Sequence, residues 1–270
     1  MGTTGDTVEN LNEAYANGAF IPSAEEFPPR WEAEAAAFRE GLGARARPDL
    51  PYGRGTRERY DLFLPEGAAL GTVIFVHGGY WQAFDKSSWS HLAAGPLARG
   101  WAVAMPSYDL CPGVRIADIT RQIAQAVAAI AAERPGTLAL TGHSAGGHLV
   151  ARMRDRALVA EDTARRIAHI MPISPLGDLR PLMQTDMNAD FRLNVAEAEA
   201  ESPILTADLH DVAVTVWVGA EERPGFLDQA QWLADAWRVE QVVASGKHHF
   251  DVIDDLADPE SLMVRRLTGR

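Results

Sequence analysis

Apolar positions along the chain recur in two alternating patterns. Short apolar runs bounded by glycine or proline alternate with longer stretches in which apolar residues return every three or four positions. GTVIFVHGG (71–79) is one such run, and it predicts a strand buried on both faces, as in a parallel sheet. WAVAMPSYDL (101–110), TLALTGHS (137–144), IAHIMPIS (167–174), VAVTVWVGA (212–220) and VEQVVAS (239–245) predict further strands. RERYDLFLP (57–65) alternates polar and apolar residues instead, the mark of a half-buried or edge strand. Between these runs, Ile116, Ile119, Ile123, Val127 and Ile130 form one helical stripe closed by Pro135 and Gly136. Phe226, Ala230, Leu233 and Trp237 form another, and AGGHLVARMRDRALVA (145–160) predicts a third helix.

Strands alternating with helices imply right-handed crossovers, a mostly parallel central sheet and helices on both faces. Reactive groups then gather at the carboxyl ends of the strands. Residues 1–50 lie ahead of this pattern, and SAEEFPPRWEAEAAAFREGL (23–42) predicts a helix entered through Pro28 and Pro29 and stopped near Gly41. They are expected to form an amino-terminal arm packed on a single domain of residues 51–270. Residues 175–211 carry no strand pattern and are expected to form one or two helices, a short cap or pocket wall.

The bulk numbers narrow the class. A chain of 270 residues with 47% hydrophobic and 23% charged residues is an ordinary globular chain, long enough to bury a substantial core. Its net charge of −12 and the lack of clustered Lys and Arg argue against a nucleic-acid partner. No apolar run approaches the length of a membrane span, so no membrane partner is expected. MGTTGDTVENLNEAYANG has neither the basic patch nor the apolar core of a secretory signal, and MGTTGD fits a myristoylation pattern only loosely. With Cys111 as the one cysteine, no intrachain disulfide forms, and a cytoplasmic location with a structural thiol is the simplest expectation.

The candidate chemistry begins at GHSAG (142–146), where a predicted strand runs into a predicted helix. A serine on such a turn is pushed outward and needs small neighbours, which Gly142 and Gly146 supply. The helix amino terminus beneath Ser144 favours negative charge. The bland alternative is a serine that caps the helix. HGGYW (77–81) lies after the buried strand, about 65 residues earlier. A glycine loop there presents backbone N–H groups to a tetrahedral intermediate, most simply those of Gly79 and Tyr80, with a further donor from Ala145. Together the two motifs point to the α/β hydrolase fold.

In that chain order the base comes last, and SGKHHFDVIDDL (245–256) offers His248 and His249. The acid follows a strand end, and AEERPGFLDQA (220–230) offers Glu221, Glu222 and Asp228, with position favouring the two glutamates. His77, His143 and His148 sit beside the motifs, whereas His91, His169 and His210 lack a chemical context. No spacing of HExxH type appears, so neither a metal nor another cofactor is expected.

With these residues assembled, the chain resembles the kynurenine formamidases, or arylformamidases, of the α/β hydrolase fold. The resemblance runs from about Arg54 to Leu256 and rests on HGGYW (77–81), SYDLCP (107–112), GHSAGGHL (142–149), ISPLGDLRPL (173–182), ESPIL (201–205) and HFDVIDDL (249–256). It implies Ser144 as nucleophile, His249 as base and Glu222 as acid, where the family usually carries aspartate. It further implies a formamide substrate needing little acyl room and a flat apolar wall, for which Trp81, Tyr108, Leu176 and Met183 are the candidates.

The function expected is hydrolysis of an N-formyl aryl amide such as N-formylkynurenine by a Ser-His-acid acyl-enzyme mechanism. A carboxylesterase acting on small aryl or short-chain acyl esters would use the same residues. A non-catalytic binding module of the same fold would show a broken set of catalytic residues. The expected partner is a small-molecule substrate; a homodimer is common among such enzymes, and nothing in the sequence demands one.

Overall fold

The computed structural model describes residues 8–269, so the myristoylation-like MGTTGD lies outside the described residues. Eight strands form one sheet: β1 (Ala46–Pro51), β2 (Arg59–Phe63), β3 (Gly71–Val76), β4 (Ala102–Pro106), β5 (Thr137–His143), β6 (Ile167–Ile173), β7 (Ala213–Gly219) and β8 (Glu240–Ala244). Their order is β1-β2-β4-β3-β5-β6-β7-β8, antiparallel through β1-β2 and β2-β4 and parallel from β4 onward. Helices α1 (Val8–Ala14) and α2 (Phe27–Leu42) precede the sheet. The crossovers contain α3 (Ala94–Ala98), α4 (Ile116–Glu133), α5 (Ala145–Arg152) and the single turn α6 (Glu161–Ala164). Beyond β6 come the short α7 (Asn188–Phe191) and α8 (Val195–Ala200), then α9 (Pro224–Trp237) and α10 (Leu262–Thr268).

The alternation of side chains along each strand sorts the core into two layers. Ile74 and Val76 of β3 pack with Ile119, Ile123 and Val127 of α4 and with Phe226 and Leu233 of α9. Val73 and Phe75 face the other way, toward Trp31 of α2, Trp89, and Met263 and Leu267 of α10. The sheet is covered on both faces, which is why β3 is buried throughout.

Two expectations about the sheet margin are corrected. The edge strand on this side is β1, all but the last residue of which lies in the stretch assigned to the arm, while β2 is an inner strand, its last four residues all buried. The alternation in RERYDLFLP misleads because Asp61 is buried at its centre, held by the Lys86 ammonium at 2.8 Å. β1 contains Pro48 and Pro51 and a bulge between Arg47 and Leu50, features that suit an exposed edge and hide a strand from pattern reading. The helix after Ser144 also ends early, at Arg152, because Asp155 turns the chain by accepting from Ala157 N–H at 2.8 Å. The 175–211 segment holds short helical turns and no strand, fastened by buried Leu176, Leu179, Leu182 and Phe191.

Candidate active site

β5 delivers Ser144 at its carboxyl end. The backbone there has φ 57° and ψ −117°, a strained conformation for any residue with a Cβ. It is fixed by Ser144 N–H donating to Ile173 O at 2.8 Å and by His148 N–H donating to Ser144 O at 3.0 Å. The turn is tight enough that a Cβ on Gly142 would lie 2.4 Å from Gly146 O, and one on Gly146 would lie 2.0 Å from Val76 O. Ser144 makes no side-chain cap bond to α5, so the capping alternative does not describe it.

β7 and the loop after β8 bring together a second set of groups. His249 Nδ1 lies 2.6 Å from Glu222 Oε2, and both side chains are buried. Glu222 Oε1 accepts from Gly219 N–H at 2.8 Å and from the Ser174 hydroxyl, so both carboxylate oxygens are engaged. Nδ1–H donating to Glu222 leaves His249 Nε2 free to act as an acceptor. The His249 ring is flanked by Phe226, with centroids 4.3 Å apart, and by His143 at 4.5 Å. Glu221 is exposed and reaches the site only through its backbone, donating to Lys247 O at 2.9 Å. His248 is half-buried, its Nδ1 accepting from Phe250 N–H at 3.1 Å.

β3 contributes the loop after His77. Gly79 has φ 104°, and Tyr80 and Trp81 follow in the left-handed region at 50° and 57°. Among the described residues, no acceptor is bonded to the N–H groups of Gly79, Tyr80 or Ala145. Unpaired donors next to a serine are what a developing oxyanion requires.

Ser144, His249, Gly79 and Tyr80 open onto one cavity of about 400 Å³. Its other walls include Tyr15, Asn17 and Trp31 from the arm, Met187, and Phe250. No Asp, Glu, Lys or Arg is among the described residues that line it.

The wall residues expected from the sequence lie elsewhere, and each has a packing reason. Trp81 is fully buried between the rings of His148 and Phe191. Tyr108 is fully buried, stacked on His77 with centroids 4.3 Å apart, its hydroxyl donating to His77 O at 2.9 Å. Leu176 is core. Met183 lines a neighbouring cavity of about 650 Å³ rather than the one above Ser144. The side chains that do line the site, Tyr15, Trp31, Met187 and Phe250, escape sequence reasoning; Phe250 alone carries a signal, as the residue after the paired histidines.

The remaining candidates have structural surroundings. Burial pushes His77 down to about 4 and His148 to about 3, and holds His143 well below the usual imidazole range, so all three are neutral near pH 7. Burial pushes the Cys111 thiol up to about 11, which removes its nucleophilic form. Among the described residues, no group of three or more His, Cys, Asp or Glu is placed to hold a metal ion, and no helix is long and apolar enough to cross a membrane.

Comparison with known proteins agrees with this arrangement of strands and turns. Residues 73–244 match the family described as alpha/beta hydrolase fold. A kynurenine formamidase of Drosophila melanogaster is 32% identical over 242 residues, spanning 81% of this chain and 79% of that protein. A solved protein of Silicibacter sp. TM1040, provisionally assigned as a thioesterase, is 58% identical and superposes with a TM-score of 0.95 over 96% of this chain and 98% of its own. An esterase of Pyrobaculum calidifontis, 18% identical with a TM-score of 0.67 over 97% and 96% of the two chains, shares the fold. The chain is therefore a hydrolase, and it belongs to the α/β hydrolase family as a kynurenine formamidase-like member.

Proposed function

We propose that the chain hydrolyses N-formyl aryl amides such as N-formylkynurenine through an acyl-enzyme on Ser144. His249 Nε2 takes the proton of the Ser144 hydroxyl as Oγ adds to the formyl carbon, and Glu222 stabilises the resulting imidazolium through Nδ1–H. The N–H groups of Gly79, Tyr80 and Ala145 receive the negative charge on the carbonyl oxygen. Collapse breaks the C–N bond, with the His249 proton going to the departing arylamine. Water, deprotonated by the same imidazole, then releases formate and restores Ser144.

The observation that carries this reading is the buried Glu222–His249 contact of 2.6 Å opening onto the same cavity as the strained Ser144. The Drosophila relative supplies the substrate class. A second reading, hydrolysis of small neutral aryl or acyl esters or thioesters, is favoured by one feature of the cavity. No charged side chain among its described lining residues answers the ammonium and carboxylate of N-formylkynurenine, and the 58% identical protein carries a thioesterase assignment.

Steady-state hydrolysis of N-formylkynurenine, p-nitrophenyl acetate and butyrate and a short acyl thioester, each with a Ser144→Ala control, tests both. A kcat/KM of about 10⁴ M⁻¹s⁻¹ or more for the formamide, well above the esters, supports the formamidase. Efficient ester or thioester turnover with a negligible formamide rate supports the second reading. Activity undiminished in Ser144→Ala overturns both.

A further inference from the structure

Tyr15 lines two cavities. One is the cavity of about 400 Å³ above Ser144, and the other is the cavity of about 650 Å³ bounded by Leu11 and Met183 on one side and Trp232 of α9 on another. Among the described residues, no other is common to both linings. The ring is 2% exposed, and the contacts around it hold it in place. Its hydroxyl accepts from Gln229 Nε2 at 2.8 Å, its backbone C=O accepts from the Tyr80 hydroxyl at 2.6 Å, and its edge meets Phe226 at a centroid distance of 5.9 Å. Gly225 makes room for it, since a Cβ there would stand 3.3 Å from the ring's Cε1.

We infer that Tyr15 is a specificity-determining partition: its ring closes the chamber above Ser144 and holds the site to short substrates, and the second cavity is the space a longer acyl chain enters once the ring is removed. The inference rests on the reading of Ser144 as the nucleophile. The second cavity suits an uncharged chain. Leu11, Ala14, Pro181, Met183 and Trp232 give it apolar wall, its Asp178 and Arg180 neutralise each other at 2.6 Å, and its remaining carboxylate, Asp228, is exposed to solvent. Tyr15 also belongs to the arm ahead of the sheet, so the residue that limits the chamber lies far in sequence from the residues expected to do chemistry there.

The test uses ethyl and octyl fluorophosphonates as probes, because phosphonylation of a nucleophilic serine reads chain fit without depending on the preferred leaving group. Second-order rate constants for modification are measured on the full chain and on Tyr15→Ala, Tyr15→Leu and Tyr15→Phe, with the melting temperature of each. The octyl-to-ethyl ratio is expected to rise about tenfold or more in Tyr15→Ala, the scale on which an apolar pocket discriminates chain length. In Tyr15→Phe, where the ring stays and only the Gln229 bond is lost, the ratio is expected to hold within about twofold. An unchanged ratio in folded Tyr15→Ala overturns the partition, and so does an equal rise in Tyr15→Phe, which would make a loosened arm the cause. If Tyr15→Ala melts below the assay temperature, Tyr15→Leu, which keeps an apolar contact with Phe226 and gives up the span of the ring, is judged by the same two criteria. Failure of the nucleophile reading looks different: both probes would then fail to modify the wild type, or would modify Ser144→Ala equally.

Discussion

Replacing Glu222 with glutamine keeps the shape of the side chain and removes its charge, and the hydrogen bonds around it fix the consequence. In the native chain, Oε1 accepts from Gly219 N–H and Ser174, and Oε2 faces His249 Nδ1. The Gly219 donor is backbone and cannot turn away. If the glutamine keeps its oxygen on Gly219, its NH₂ group faces His249 and forces Nδ1 to accept, moving the ring proton to Nε2. The imidazole then presents a donor where the mechanism needs a base. If the amide flips instead, two N–H groups meet in a buried space, and an unsatisfied donor there costs about 1–3 kcal/mol. That cost favours the first arrangement, which disables the base, and loss of the correct tautomer in a serine hydrolase lowers kcat by about 10⁴, or about 5 kcal/mol of barrier.

The assay is steady-state kinetics on whichever substrate the wild type turns over best, alongside Glu221→Gln as a matched control and a melting curve for each variant. Glu222→Gln is expected to lose about four orders of magnitude in kcat with KM changed by less than about threefold. Glu221→Gln is expected to stay close to wild type, because Glu221 is exposed and engages the site through its backbone alone. A folded Glu222→Gln within about tenfold of wild type would refute the assignment of the acid, and the full loss in Glu221→Gln would move that assignment by one residue.

Ser174→Ala removes a buried donor to Glu222 and should lower kcat by about tenfold with KM little changed; a fall in melting temperature with kcat intact would make Ser174 structural alone. Gly146→Ala should destabilise the fold by about 3 kcal/mol or more, since its methyl would meet Val76 O at 2.0 Å and His77 O at 2.6 Å, both backbone atoms; a melting temperature equal to wild type would contradict the closeness of β3 to the serine turn. Acid should weaken the fold through His77 and His148, whose folded pKa values, about 4 and about 3, lie below the unfolded value of about 6.5. Between those values only the unfolded state binds these protons, so their stabilising contribution is complete above pH 6.5 and declines by about 1.4 kcal/mol per pH unit per group as pH falls toward 4. Denaturant unfolding that is flat from pH 7.5 to 4.5 would refute it.

The parts of the molecule legible in the sequence are those whose constraint is local. The α/β alternation, the buried β3 and the stripe of α4 follow from periodicity, because each element buries a face whatever its neighbours are. The serine turn and the glycine loop are legible for a related reason, since both need backbone geometry that only certain neighbours allow. Chain position narrows the acid to two adjacent glutamates and no further, because only the direction of a side chain separates them, and direction depends on how β7 meets the loop after β8. β1 is illegible because its prolines and bulge break the pattern, and the burial of Asp61 is illegible because an ion pair with Lys86 from another part of the chain overrides its polarity.

The cavity walls illustrate the limit most sharply. Proximity to a motif selects Trp81, yet three consecutive residues at positive φ turn the loop so that Tyr80 lines the cavity and Trp81 enters the core against His148 and Phe191. A one-residue change of direction separates a wall from a core side chain, and no periodicity encodes it. The actual walls come from the arm, the 175–211 segment and the loop after β8, which meet only once the sheet is assembled. Ser144, Glu222 and the glycine loop lie within residues 73–244, as do the wall residues Tyr80 and Met187, whereas His249 and Phe250 lie beyond that stretch. Tyr15 and Trp31 lie ahead of residues 73–244, the part that matches the family, so substrate choice can change through the arm while Ser144, Glu222 and the glycine loop stay in place.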